Sequence, residues 1–374
     1  MSTPRVYVIH ENPEWFPPLA AAFEAEGVPV EELLLTDGSI DLAADPAPGV
    51  YWSRMSASSH TRGHEHSKEY TRAVLGWLER AGRSVVNGSH VLELEVSKVA
   101  QHGLLRNAGF DVPRTTAVFG HRDLVAAAER FVAEASTPGA PFITKHNQGG
   151  KGLGVRRFDT VAEFAAYVES PEFEEPVDGI TLIQEYLVAR APFITRVEFV
   201  GGRFVYAVRV DTSAGSFELC PADACEVPLP GQAAQPQSDL AQTGTAQTGT
   251  AQTGTEQTGT EQTGPEQTGP EQTFAGAACD VPTAGQPSAF SIRSEITAGS
   301  EIVQRLEAFL ADQRIGVAGI EFMETVDGRT VVYDINTNTN YNPAVEETSP
   351  VSGPRSIARY LGALLASEQA LLAV

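Results

Sequence analysis

Between Val6 and Val86, short apolar runs alternate with segments of helical length, and this alternation restricts the fold more than any other feature of the chain. Val6-Tyr7-Val8-Ile9, Val30 to Leu35, Val50-Tyr51-Trp52 and Ser84-Val85-Val86 each have the length of a strand. Pro13 and the pattern through Glu26, closed by Gly27, predict a helix between the first two. Glu65 to Ala81, closed near Gly82, predicts another before the fourth. Strands joined by helical crossovers lie parallel in one sheet, with helices on its faces. Ligands of such sheets bind beyond the carboxyl ends of the strands. That edge is where Ser53 to Gly63 falls.

From Val91 the pattern changes. One helix is predicted to Asn107, closed by Gly109, then a strand at Thr115 to Phe119 and a helix at Leu124 to Glu134. Strands follow around Phe142 to Lys145, Gly154 to Phe158, Thr181 to Leu187, Phe193 to Val200 and Phe204 to Val210. Val200-Gly201-Gly202-Arg203 reads as a hairpin turn, because paired glycines accept positive φ. Further on, Ile302 to Gln313 is predicted helical, Val317 to Met323 and Val331 to Ile335 form a hairpin through Asp327-Gly328, and Ser352 to Leu365 is the last helix. The predicted class is α/β plus α+β: an N-terminal parallel-sheet domain over 1–88, then 89–374 with antiparallel sheets.

Residues 241–270 are six tandem five-residue repeats with no large apolar side chain. Such a segment cannot bury enough surface to offset its chain entropy, so disorder is predicted across an insertion of about 230–287. A repeat expansion on a surface loop is the plain reading; tethering of a partner is the other.

The net charge of −22 argues against a nucleic-acid backbone as partner. No stretch approaches the roughly 20 apolar residues of a membrane span, and Met1 to Arg5 lacks a signal-peptide layout. Cys220, Cys225 and Cys279 match no zinc spacing and read as free thiols. A cytoplasmic protein is expected.

Four elements could carry chemistry. On the C-terminal hairpin, Glu321 can face Asp334 and Asn336, since residues i and i+2 share a strand face. Two carboxylates and an amide oxygen are hard ligands suited to magnesium shared with phosphates; solvated acids on an edge hairpin are the alternative. Lys145 ends a strand and is followed by Gln148-Gly149-Gly150-Lys151-Gly152-Leu153-Gly154, a turn whose backbone N–H groups could approach phosphate. It is neither a Walker A sequence nor a dinucleotide fingerprint, and a plain flexible hairpin is the other reading. Lys98 lies on a helix, where a lysine is ordinarily a surface charge. Gln184-Glu185-Tyr186-Leu187 ends a strand in a polar–apolar hinge able to meet an adenine edge. Beside these, Arg54 and Arg62 stand with His60 and His64 in one hydroxyl-rich loop. They could hold an anionic substrate or pair with local acids such as Glu65 and Glu69.

In this order the elements resemble the ATP-grasp superfamily, and within it the glutamate-ligase branch that includes the ligase adding glutamates to a ribosomal protein. The resemblance covers about 85–345 without the insertion, and the N-terminal sheet more loosely. It implies a two-lobed ATP-grasp domain, with a nucleotide-binding lobe at 113–190 and a C-terminal lobe at 191–374. It implies Lys98 and Lys145 on ATP phosphates, the Gln148 to Gly154 turn over them, and Gln184, Glu185, Tyr186 and Leu187 around adenine. Glu321, Asp334 and Asn336 become metal ligands for Mg2+ (Mn2+ being an admissible substitute), and Arg196 and Arg209 steady the transferring and acyl phosphates. The implied activity is ADP-forming carboxylate–amine ligation. Its partner is a small amino acid or a peptide substrate, with no nucleic acid or membrane, and the resemblance is compatible with a homo-oligomer. A nucleotide-binding scaffold without turnover is the competing class. Two departures stand out. Asn336-Thr337-Asn338-Thr339-Asn340 replaces the family's usual Ser-Pro-Gly continuation, which places Asn338 and Asn340 among the substrate candidates. No arginine stands near Phe217-Glu218-Leu219.

Overall fold

The computed structural model describes residues 3–150, 152, 154–213 and 289–372. The predicted repeat insertion, the three cysteines, Phe217 to Leu219, Lys151 and Leu153 lie outside the described residues.

The N-terminal alternation forms the expected parallel sheet. β1 (Arg5–His10), β2 (Val30–Leu34), β3 (Gly49–Ser53) and β4 (Ser84–Val86) lie in the order β2-β1-β3-β4, every pair parallel. Helix α1 (Pro17–Ala25) joins the first two strands, and α2 (Ser67–Arg80) precedes β4. β1 and β3 are buried along nearly their whole length, as the central strands of a sheet covered on both faces must be. One face packs on Leu75 and Leu78 of α2. The other is covered by Phe23 of α1 and by Ile357 and Leu361 of α9 (Gly353–Leu372), the last helix, which returns from the far end of the chain. That helix runs well past the predicted end at Leu365.

The predicted helix from Val91 to Asn107 is two helices, α3 (Ser89–Glu95) and α4 (Lys98–Asn107). The break lies at Ser97, whose side chain leaves helical geometry to accept a hydrogen bond from the Ala100 amide. This is an ordinary N-cap, and it sets Lys98 at the first position of a new helix.

A four-stranded antiparallel sheet follows, with strand order β5-β8-β6-β7: β5 (Thr115–Phe119), β6 (Phe142–His146), β7 (Arg156–Phe158) and β8 (Ile180–Glu185). It packs on α5 (Leu124–Ala133) and on α6 (Val161–Val168), a helix absent from the sequence reading. Its signal was present in Thr160-x-x-Glu163: the Thr160 hydroxyl caps the helix by accepting from the Glu163 amide, and the Glu163 carboxylate accepts from the Asp159 amide just before the cap. Phe142, Phe158 and Phe164 meet in this core with ring centroids 5.0–5.7 Å apart.

The third sheet is β11-β10-β9-β12-β13, formed by β9 (Phe193–Val200), β10 (Arg203–Asp211), β11 (Phe290–Ile292), β12 (Val317–Glu324) and β13 (Thr330–Asn336). The β9–β10 turn places Gly201 and Gly202 at φ 61° and 67°, as the paired glycines require. Helix α7 (Glu301–Asp312) buries Leu306 and Leu310 against this sheet, and α8 (Pro343–Thr348) starts from Asn342, whose side chain caps it.

Candidate nucleotide-binding site

A cavity of about 250 Å³ opens between the second and third sheets. The glycine turn supplies Gly149, Gly150 and Gly152 to its wall. The strand ends Lys145 and Gln184 to Leu187 form a second side, and Lys98, Glu321 and Asp334 a third. Four elements that the sequence singled out separately therefore converge on one space.

The acidic corner is set by strand register. Asp334 of β13 lies opposite Glu321 of β12, and Glu321 opposite Arg196 of β9. Side chains directly opposite share a face, so two carboxylates and a guanidinium meet. Arg196 donates to Glu321 Oε1 at 3.1 Å, to Glu198 Oε1 at 2.6 Å and to Thr339 Oγ1 at 2.8 Å. Lys98 Nζ pairs with Asp334 Oδ1. Burial, and then the neighbouring Asp334 charge, push the Glu321 carboxyl above its ordinary range. Burial acts the same way on Asp334, but the Lys98, Lys145 and Arg196 charges together outweigh it and hold that carboxyl below the usual range. Burial, with Lys98 next, lowers the Lys145 ammonium to about 8.

Asn147 connects Lys98 to the glycine turn. Its side-chain oxygen accepts from the Val99 amide at 2.9 Å, its backbone oxygen accepts from the Lys98 amide at 3.2 Å, and its side-chain amide donates to Asp178 at 2.7 Å. The start of α4 is thereby tied to the end of β6, which carries Lys145. Gly152 and Gly154 have φ of 75° and 72°, a conformation open to glycine without strain.

Several candidates sit elsewhere. Gln148 and Gly154 do not line the cavity: Gln148 is buried toward Ala57, and Gly154 lies against the His146 ring. Asn336 stands beside the corner, its amide 3.4 Å from Glu321 Oε1, and is not part of the wall. Glu185 lines the cavity, yet both its oxygens are engaged, by the Arg114 amide at 2.9 Å and by Arg329 at 3.1 and 3.3 Å. Arg209 is not brought to the cavity. It pairs in register with Thr195, while Arg196 pairs with Val208. Successive residues on a strand face opposite ways, so Arg209 lies on the other face, exposed, with its guanidinium 4.4 Å from the Phe193 ring centroid.

Arg54 and Arg62 are both occupied. Arg54 is 1% exposed and donates to Trp15 O, Thr339 O and, at 2.6 Å, Asn340 Oδ1. Arg62 forms a two-pronged pair with Glu11 at 2.6 and 3.2 Å. The acid is therefore Glu11, at the end of β1, rather than the nearby Glu65 or Glu69. Asn338 is a different case, since its side-chain oxygen is buried without a hydrogen-bond partner.

The cavity also uses residues that the sequence reading missed, among them Ile194, Met323 and Tyr333. The first two had a signal: each stands two places from a residue already singled out, Arg196 or Glu321, and so shares its strand face.

The donor set fits magnesium. Among the described residues there is no cluster of three or more His, Cys, Asp or Glu side chains able to cage a metal. A buried carboxylate, Glu321, and a half-buried one, Asp334, on the cavity wall match the usual magnesium arrangement, in which one or two carboxylates act with the substrate phosphates.

An antiparallel four-stranded lobe and a five-stranded lobe around a lysine- and acid-lined cavity, beside a parallel N-terminal sheet, define an α/β plus α+β architecture. The chain has the ATP-grasp fold. Solved structures similar to it include an ATP-grasp ligase, a synthetase and an ATP-grasp domain protein. PsnB, complexed with a phosphomimetic variant of its minimal precursor, Mg and ADP, is 14% identical with a TM-score of 0.55, covering 99% of this chain and 100% of its own. D-cycloserine synthetase DcsG is 16% identical with a TM-score of 0.55, covering 96% and 99%. An ATP-grasp RimK domain protein from Sphaerobacter thermophilus is 15% identical with a TM-score of 0.56, covering 95% and 98%. No protein-family model and no curated protein matches the sequence. No helix among the described residues is long and apolar enough to cross a membrane.

Proposed function

We propose that the chain is an ATP-dependent carboxylate–amine ligase that forms an amide or peptide bond through an acyl phosphate, releasing ADP and phosphate. The observation that carries this reading is the meeting of Lys98, Lys145, Glu321 and Asp334 in one cavity, with the glycine turn on one side and the Gln184–Leu187 hinge on the other. Residues 113–190 are then the nucleotide-binding lobe and 191–374 the opposing lobe.

Lys145 and Lys98 neutralise ATP phosphates, and the backbone of Gly149, Gly150 and Gly152 covers them. The hinge meets adenine through its backbone, because the Glu185 carboxylate is held by Arg329. Glu321 and Asp334, with Asn336 beside them, would hold Mg2+, which would supply charge neutralisation for the phosphates. A substrate carboxylate oxygen attacks the γ-phosphorus, and ADP leaves. An amine then attacks the acyl carbon, loses a proton, and expels phosphate. Arg196 keeps Glu321 oriented and adds positive charge beside the transferring group. Catalysis is mostly positioning and charge stabilisation.

Two substrate sizes fit this chemistry. PsnB is a ligase complexed with a precursor peptide, while DcsG is a synthetase of a small molecule. The test is phosphate release from ATP with pooled amino acids and with peptides, followed by mass spectrometry of the products. Amine-dependent ADP formation with a new amide supports the ligase. ATP binding without release under any acceptor supports a scaffold and overturns it.

A further inference from the structure

Behind the hinge lies a second cavity, of about 860 Å³. It shares Glu185, Tyr186 and Leu187 with the nucleotide cavity, so the hinge is the partition between the two. Its other walls come from α4, from α5 with the turn that follows it, and from the β12–β13 turn. Ligand sites are mostly apolar spaces of roughly 300–1,000 Å³ with a few placed polar groups. Phe131, Val132, Pro141 and Leu187 give this one an apolar surface, and so do Val188 and Val326, which are 50% and 64% exposed.

The polar groups in its wall carry surplus positive charge. Three arginines line the space, Arg106, Arg114 and Arg329, against two carboxylates, Glu185 and Asp327. Arg329 takes both acids, Glu185 at 3.1 and 3.3 Å and Asp327 at 2.9 Å. Neither Arg106 nor Arg114 has a carboxylate partner among the described residues, in a chain where Asp and Glu outnumber Lys and Arg 48 to 26.

Arg114 is held in place. Its guanidinium lies 3.6 Å from the Phe131 ring centroid and donates to Phe131 O at 2.8 Å. A guanidinium laid over a ring keeps its remaining N–H groups at its edge, where they can meet a carboxylate as a fork. Arg106 stands one turn after His102 on α4, and His102 Nδ1 is 3.4 Å from the hydroxyl of Thr115, the residue after Arg114. Both arginines thus belong to the same side of the cavity.

We propose that this cavity is an effector site for a small organic carboxylate with an apolar body. The charge meets Arg106 and Arg114, and the body packs on Phe131 and the back of Leu187 and Val188. An occupant there braces the hinge that adenine meets from the other side, so it and ATP strengthen each other's binding by one common factor. The coupling rests on the nucleotide reading above; the carboxylate site does not.

The probe is cinnamate, with cinnamyl alcohol as its neutral counterpart, titrated calorimetrically onto the full chain with and without a saturating non-hydrolysable ATP analogue. Cinnamate should bind at one site per chain whether or not the analogue is present, and the alcohol about tenfold more weakly. Arg106→Ser, at an exposed position, should fold normally, lose about tenfold in cinnamate affinity and keep wild-type affinity for the analogue. Arg114→Met should lose at least as much cinnamate affinity. No cinnamate binding, equal binding of the alcohol, displacement of cinnamate by the analogue, or wild-type cinnamate affinity in both variants would each overturn the site. Saturating cinnamate should tighten binding of the analogue to wild type about threefold; an unchanged affinity overturns the coupling. If the analogue does not bind at all, the nucleotide reading fails while the cinnamate titration still decides the site.

Discussion

Arg54 donates to the side-chain oxygen of Asn340 at 2.6 Å, joining the end of the N-terminal sheet to the segment that follows the acidic strand β13. The same guanidinium holds Thr339 O, while Arg196 and Glu198 hold the Thr339 hydroxyl. Glu95 accepts from both the amide and the hydroxyl of Thr337. The continuation 337–340 is therefore pinned from three elements, and the acidic corner inherits that rigidity.

Arg54→Met should destabilise the protein by about 3 kcal/mol, because Trp15 O, Thr339 O and Asn340 Oδ1 lose their donor in a buried setting. Arg54→Lys should recover only part of this, since an ammonium cannot span the fork. Urea unfolding of both variants checks it. Two variants within about 0.5 kcal/mol of wild type would mean that Arg54 does not pin the segment.

Lys145→Ala should weaken ATP binding about 30-fold, or about 2 kcal/mol, and lower turnover with it. The pH dependence has a definite sign. Burial and Lys98 lower the Lys145 ammonium to about 8, below its ordinary 10.5. The nucleotide-free protein should therefore gain stability as pH rises from about 8 towards 10.5, where only the unfolded state still binds the proton. ATP affinity should fall over the same range, because phosphates select the charged form. Calorimetric titration at pH 7 and 9 reads this, and Lys145→Arg should flatten the profile.

Asp334→Asn leaves Lys98 without its acid and removes one of the two facing carboxylates. The Mg2+ concentration for half-maximal ATP turnover should rise at least about tenfold. Glu321→Gln should do the same, and it also removes one of the two acids that Arg196 pairs with. Unchanged Mg2+ dependence in both would remove these residues from the metal role.

His102 is buried under Tyr333 O, 3.2 Å from its Nε2, and burial followed by the Lys145 charge lowers its imidazole to about 4. A folded-state value below the unfolded 6.5 means that stability is lost as pH falls from about 6.5 to 4, by about 3 kcal/mol in total. His102→Gln should show a smaller loss between pH 7 and pH 4.5 in urea unfolding. Parallel curves for the two proteins would assign the acid sensitivity elsewhere.

Much of the architecture was legible because it is local. The Asp327-Gly328 turn sets the β12–β13 hairpin, and with it the opposition of Glu321 and Asp334. Paired glycines at positive φ do the same for β9 and β10. Capping chemistry was legible too, at Ser97 and at Thr160, and neglecting it merged two helices and hid a third. Arg209 went astray over a single register step: a cross-strand partner of Thr195 rather than of Arg196 puts a side chain on the opposite face.

By itself the sequence determined the parallel N-terminal sheet, the hairpins, and the residue types at the cavity wall, since periodicity and turn chemistry act over a few residues. Only the tertiary structure decided which partner each buried cation meets. Arg54 reaches a segment 286 residues away, and Lys98 one 236 away. Those outcomes depend on how three sheets pack, and charge pairing across such separations leaves no local signature in the chain.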